Sequence, residues 1–96
     1  MTQLTTEQQI AILNLQLDLY FTQVSLERGY SSADSCVSYI NSTVLSWKNE
    51  ATAYSEWRDA AYETINPIIN AIPPEGPVPT VDKVTSQVTP IVWPAL

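Results

Sequence analysis

Residues 33–72, ADSCVSYINSTVLSWKNEATAYSEWRDAAYETINPIINAI, decide the fold of this chain. At alternating spacings of four and three residues, this stretch presents one nearly continuous row of apolar and aromatic side chains. Arg58 is the charged member of the row, and the others are Ala33, Val37, Ile40, Val44, Trp47, Ala51, Tyr54, Ala61, Ile65, Ile68 and Ile72. The spacing predicts one face of a single long helix, about 60 Å in length if every residue is helical.

A first helix is predicted over residues 6–28, ahead of this long helix over 33–66. Thr5 with Gln8, or Thr6 with Gln9, has the spacing of a capping box. Leucines alternate with polar residues over 13–21, as in a half-buried strand, but leucine favours helix and no β-branched residue occurs there. Gly29 suits the end of that helix, and Ser32 suits the cap of the next. The short link predicts an antiparallel helical hairpin over residues 1–72.

Six of the seven prolines lie after residue 72, which sets residues 73–96 apart as a Pro-rich, largely extended arm. The seventh, Pro67, predicts either a kink in the long helix or its end. Thr80 can cap one short helix in the arm. We expect the apolar tip, Ile91 to Trp93, to reach away from the hairpin and hold a partner. The alternative is that the arm folds back and buries Trp93.

The charge balance excludes some classes of partner. The 96 residues carry a formal net charge of −6, which opposes binding to nucleic-acid phosphates. The first nine residues, MTQLTTEQQ, have neither the basic nor the apolar region of a signal peptide, and no run of 18 apolar residues occurs. We therefore expect a cytoplasmic chain without membrane insertion.

Catalytic, metal and cofactor sites are not expected. The sequence has no histidine, which excludes imidazole chemistry, and its two glycines cannot form a Gly-rich phosphate loop. Asp59 and Glu63 are spaced to share a helix face and could bind a cation. We expect these two carboxylates to be solvated instead, because no further ligands converge there. The single cysteine, Cys36, is predicted to be a small buried hydrophobe, with a reactive thiol near a helix N-terminus as the alternative.

Aromatic residues and arginine suggest a binding function, because these types dominate interface hot spots. The middle of the long helix carries such a group, and Tyr54 and Arg58 have the spacing of a cation–π pair. The alternative is that the rings cover the first helix. The predicted protein-binding residues are Trp47, Tyr54, Trp57, Arg58, Tyr62, Ile91, Val92 and Trp93.

Three segments carry a resemblance: Glu56 to Tyr62 (EWRDAAY), Val78 to Val81 (VPTV) and the terminal Trp93–Pro94. Together they resemble bacteriophage tail and tail-fibre assembly chaperones. The resemblance implies a non-enzymatic protein in the host cytoplasm that binds a tail or tail-fibre protein, copies of itself, or both. Two alternatives are a structural component retained in the virion tail, baseplate or fibre, and a small cytosolic adaptor or regulator.

Overall fold

Helices follow one another along residues 3–94, the part of the chain that the computed structural model describes. Strands are absent from those residues, and the all-α class is confirmed. The molecule measures 52 Å by 24 Å by 18 Å. Its helices are α1 (Thr6–Glu27), α2 (Ala33–Ser38), a 3-10 turn (Tyr39–Asn41), α3 (Leu45–Asn70) and α4 (Val81–Thr85).

Local signals explain both ends of α1. The Thr5 hydroxyl accepts a hydrogen bond from the Gln8 backbone N–H, and the Gln8 side chain accepts one from the Thr5 N–H. This reciprocal pair is the first of the two predicted capping boxes. At the other end Gly29 takes φ 97°, and its N–H bonds back to the carbonyl of Leu26, which ends the helix in a Schellman motif. Residues 13–21 are helical, as predicted.

The single helix predicted over residues 33–66 is wrong. The chain leaves the helix after Asn41 and re-enters at Leu45. Ser42 is extended at ψ 146°, and its hydroxyl accepts a hydrogen bond from the N–H of Val44 at 3.0 Å. Short polar side chains compete in this way for backbone groups and weaken a helix locally. The break turns α2 back onto α3, and Cys36 becomes fully buried there.

Pro67 does not stop the long helix. α3 continues through Pro67 to Asn70, so the predicted alternative of an end near residue 66 is wrong. Ile68 and Ile69 in this last turn pack against the hydrophobic core. We attribute the continuation to this packing, which offsets the hydrogen bond that proline cannot donate.

The hydrophobic core joins α1, α3 and the Pro-rich arm. Its buried members come from all three segments: Leu13, Leu17, Phe21, Ala61, Ile65, Val84 and Val88. The arm therefore lies along the helices, and the prediction that it reaches away from them is wrong. The Thr80 cap forms as predicted, with its hydroxyl accepting from the Lys83 N–H. Burial of Val84 and Val88 favours the folded-back position.

Side-chain contacts connect the α1 segment to α3 at several points. Arg28, at the end of α1, pairs with Glu50 near the start of α3. Phe21, further back in α1, stacks on Tyr62, further along α3. Within residues 3–94, the helices are too short or too polar to cross a bilayer.

Candidate functional site

One group of exposed apolar side chains lies where the chain turns from the 3-10 turn into α3. We call this group the corner patch, and it consists of Ile40, Val44, Leu45 and Trp47. Leu45 is 68% exposed and Trp47 is 47% exposed. Apolar groups concentrated on a surface commonly mark protein-binding sites. The break at residues 42–44 creates the patch, because it removes Ile40, Val44 and Trp47 from the continuous helix face predicted from the sequence.

An open cavity of about 390 Å³ lies beside the corner patch, and the Trp47 side chain belongs to both. Three aromatic rings form a row at this cavity. The centroids of Tyr30 and Tyr39 are 5.7 Å apart, and those of Tyr39 and Trp47 are 5.4 Å apart, the latter edge-to-face. This geometry is one that aromatic pairs prefer. The row holds the half-exposed Trp47 ring in a defined position.

A polar network lines the same cavity. Glu50 is 6% exposed, and its carboxylate is satisfied from two sides. The Arg28 Nε donates to one oxygen, and the Tyr30 hydroxyl donates to the other at 3.0 Å. Burial, followed by the bond to Glu50, raises the pKa of Tyr30 to about 12. The Tyr30 hydroxyl therefore remains a donor at neutral pH.

This arrangement is suited to binding a side chain of another protein. The aromatic row offers ring faces at the cavity, and the corner patch offers further exposed apolar side chains in the adjoining residues 40–45. Trp and Tyr contribute large contact area at low cost in side-chain entropy, since each has two rotatable torsions. Arg28 and Glu50 pair with each other within the fold. We therefore expect them to hold the cavity wall in place and expect the aromatic rings to contact the partner protein.

Tyr54 and Arg58 form the predicted cation–π pair, with the guanidinium carbon 5.8 Å from the ring centroid. Tyr54 is fully buried, and its hydroxyl donates to the carbonyl of Phe21 at 2.7 Å. Burial raises the pKa of Tyr54 to about 12. Tyr54 therefore belongs to the core, whereas Arg58 is partly exposed and lines a second cavity of about 340 Å³ with Tyr62.

Trp57 and Tyr62 are partly buried against α1. The Trp57 ring lies edge-to-face on Phe21 at 5.3 Å, and Tyr62 stacks on Phe21 at 4.8 Å. The Trp57 Nε1 donates to the carbonyl of Thr89 at 2.7 Å and so fastens the arm. These contacts match the alternative interpretation, in which the rings cover the first helix. Binding roles for both residues remain predictions.

The three predicted residues at the arm's tip have different surroundings. Val92 is 86% exposed, whereas Ile91 and Trp93 are partly buried. The Trp93 ring is stacked on Tyr54 with centroids 6.2 Å apart, and the Arg28 guanidinium carbon is 5.5 Å from its centroid. Trp93 thus anchors the arm on its own chain. Among the eight predicted binding residues, Trp47 and Val92 are the exposed ones, and they lie far apart in sequence.

Several residues of this site were missed from the sequence. Ile40, Val44 and Leu45 were placed on or beside a helix face, and the run Asn41-Ser42-Thr43 was the available signal for the break. Trp47 was expected to lie both in the core and in an interface. Because it is half-exposed, Trp47→Ala should cost less stability than the truncation of a buried tryptophan. The pairing of Arg28 with Glu50 had no sequence signal, because the two are 22 residues apart.

Cys36 is fully buried, as predicted for a small hydrophobe. Burial raises the pKa of its thiol to about 11, which opposes the alternative of a reactive thiolate. Across residues 3–94, cysteine, aspartate and glutamate do not form a cluster of three that could hold a metal ion.

Comparisons of the chain with models of protein families, with curated proteins and with solved structures found no match.

Proposed function

We propose that this chain is a non-enzymatic protein-binding component, of the kind represented by phage tail and tail-fibre assembly chaperones. The observation that carries the proposal is the corner patch with the aromatic row behind it. An exposed tryptophan that packs on Tyr39, which in turn packs on Tyr30, has the composition of an interface hot spot. In this proposal α1 and α3 form an antiparallel hairpin, and the Pro-rich arm with its short helix braces that hairpin from one side.

The class of partner follows from charge and from the resemblance. A net charge of −6 opposes nucleic acid, so the partner is a protein. The segment Glu56 to Tyr62 and the Trp93–Pro94 pair point to a tail or tail-fibre protein. The proposed location is the host cytoplasm during assembly. In the alternative, a structural component, the chain stays in the virion.

The proposal is tested by co-expressing the chain with the tail and tail-fibre proteins encoded by the same genome. We expect one of them to co-purify with it. Trp47→Ala should weaken this complex at least tenfold, because hot-spot tryptophans contribute roughly 2 kcal/mol or more. The matched control is Lys48→Ala, which changes an exposed neighbour on the same turn of α3 and should leave binding unchanged.

Circular dichroism should show the same helix content for both variants. Failure of every tail protein to bind, or equal binding by the Trp47→Ala variant, would contradict the proposal. Mass spectrometry of purified phage particles then distinguishes an assembly chaperone from a structural component of the virion. A chaperone is lost from the mature particle, whereas a structural component remains at fixed stoichiometry.

A further inference from the structure

Helix α1 has two apolar faces, and the fold covers one of them. Leu13, Leu17 and Phe21 recur every four residues and are buried against α3 and the arm. A second set of large apolar side chains on the same helix is exposed to solvent: Ile12, Leu15, Leu19 and Leu26. Leu15 is 65% exposed and Leu19 is 68% exposed. We call this second set the outer seam.

The outer seam has the spacing of a coiled coil. Ile12, Leu19 and Leu26 lie seven residues apart, while Leu15 and Thr22 each follow by three. These are the a and d positions of a heptad repeat. In a coiled coil, the side chains at these two positions pack against the partner helix. The seam extends roughly 21 Å along α1. The seven-residue period of the outer seam therefore indicates that its partner is another helix.

The residues at the edges of the outer seam indicate that the partner helix belongs to a second copy of this chain. Gln9, Gln16 and Gln23 follow one edge at seven-residue intervals, and all three are exposed. Because each copy has a net charge of −6, two copies can associate only through surfaces on which acidic groups do not face each other. The glutamine edge is uncharged, and amides both donate and accept hydrogen bonds, so it suits a contact between identical surfaces.

Asp18 is the charged residue of α1 on the other edge of the seam, where it also lines the second cavity with Arg58 of the same chain, and it favours one orientation. In a parallel pairing, the edge that carries Asp18 faces the glutamine edge of the other copy, so the carboxylate meets the amide of Gln23. In an antiparallel pairing the two Asp18 edges face each other, and like charges repel. The parallel arrangement avoids that repulsion.

The available area is consistent with a reversible dimer. The four apolar side chains expose roughly 400 Å² in all, which is the size of the largest apolar patch on many monomers. Pairing two copies, with the glutamine edges included, would bury on the order of 1,000 Å², at the low end for specific interfaces. We propose that α1 pairs with α1 of a second copy through the outer seam, in parallel, to form a two-fold dimer that dissociates in the micromolar range. This surface is separate from the corner patch and does not depend on the proposed function.

The test is the oligomeric state by sedimentation equilibrium. The wild-type chain should approach twice the 10.7 kDa mass of one copy as its concentration rises through the micromolar range. Leu19→Glu places a charge in the seam and should raise the dissociation constant at least tenfold. The matched control is Leu45→Glu, since Leu45 has the same 68% exposure but lies in the corner patch. That variant should dimerise like the wild type.

The same variants keep this inference distinct from the proposed function, because Leu45→Glu should impair only partner binding. For orientation, Thr22→Cys introduces a thiol at a seam position in a chain whose native cysteine is buried. In a parallel dimer, the two introduced thiols should form an intermolecular disulfide on oxidation, and Asn14→Cys, outside the seam, should not cross-link. A monomeric wild type, an assembly larger than a dimer, or equal dimerisation by the Leu19→Glu variant would overturn the proposal. Cross-linking from position 14 instead of position 22 would overturn its geometry.

Discussion

Removing the Trp93 side chain should destabilise the whole chain, because this ring fastens the arm to the helices. In Trp93→Ala the chain loses the stack on Tyr54 and the contact with the Arg28 guanidinium. The aromatic pair contributes about 1 kcal/mol beyond area, and the cation–π contact about 0.5–1 kcal/mol. With the apolar area that the ring buries, we expect the free energy of unfolding to fall by about 2–3 kcal/mol.

The measurement is urea unfolding followed by circular dichroism, together with Tm. For a domain of this size, that loss corresponds to a fall in Tm of about 10–20 °C. The matched control is Val92→Ala, since Val92 is 86% exposed and its truncation should change stability by less than about 0.5 kcal/mol. Trp93→Phe retains a ring and should recover part of the loss. If the Trp93→Ala and Val92→Ala variants unfold at the same urea concentration, the arm is not anchored as described.

Three further predictions concern the buried polar groups. Glu50→Ala leaves the Arg28 Nε and the Tyr30 hydroxyl without their acceptor, whereas the Arg28 Nη2 still donates to the carbonyl of Pro94. The change should lower the free energy of unfolding by about 1–3 kcal/mol in urea titrations, with a smaller loss for Glu50→Gln, and equal losses would argue against a role for the charge. The pKa values of Tyr30 and Tyr54 are raised from 10 to about 12, so their protonated forms stabilise the fold fully below pH 10, and Tm should fall as the pH rises from 10 to 12. Tyr54→Phe should flatten that fall, and an unchanged pH profile would contradict the assignment. Cys36 should resist iodoacetamide at pH 8 in the native chain and react in urea, whereas rapid native alkylation would show that the thiol is accessible.

Much of the local structure could be predicted from the sequence, because short-range chemistry sets helix ends. Thr5, Ser32 and Thr80 all act as helix caps, each through a hydroxyl and a backbone N–H three residues on, although Ser32 caps the short helix α2 and not the predicted long helix. Gly29 ends α1 because its positive φ is open to glycine at little cost. The Tyr54–Arg58 contact likewise follows from helical spacing alone.

The candidate site was only partly predictable. Trp47 was identified as a binding residue from its type, and it is exposed. Its neighbours in the corner patch were assigned to a continuous helix face, because heptad spacing persists through residues 41–44 and masks the weak helix formers there. The aromatic row and the Glu50 network join residues from the link after α1, the 3-10 turn and α3, and sequence spacing carries no signal for such contacts.

The sequence by itself determined the helical class, the helix caps and the existence of apolar faces, since all of these depend on interactions within a few residues. The tertiary structure decided what covers each face. It broke the long apolar row so that α2 folds onto α3, it placed Val84 and Val88 of the arm in the core, and it left the outer seam of α1 open. The physical reason is that periodicity shows which side chains share a face, whereas burial depends on which distant segment gains most by removing that face from water.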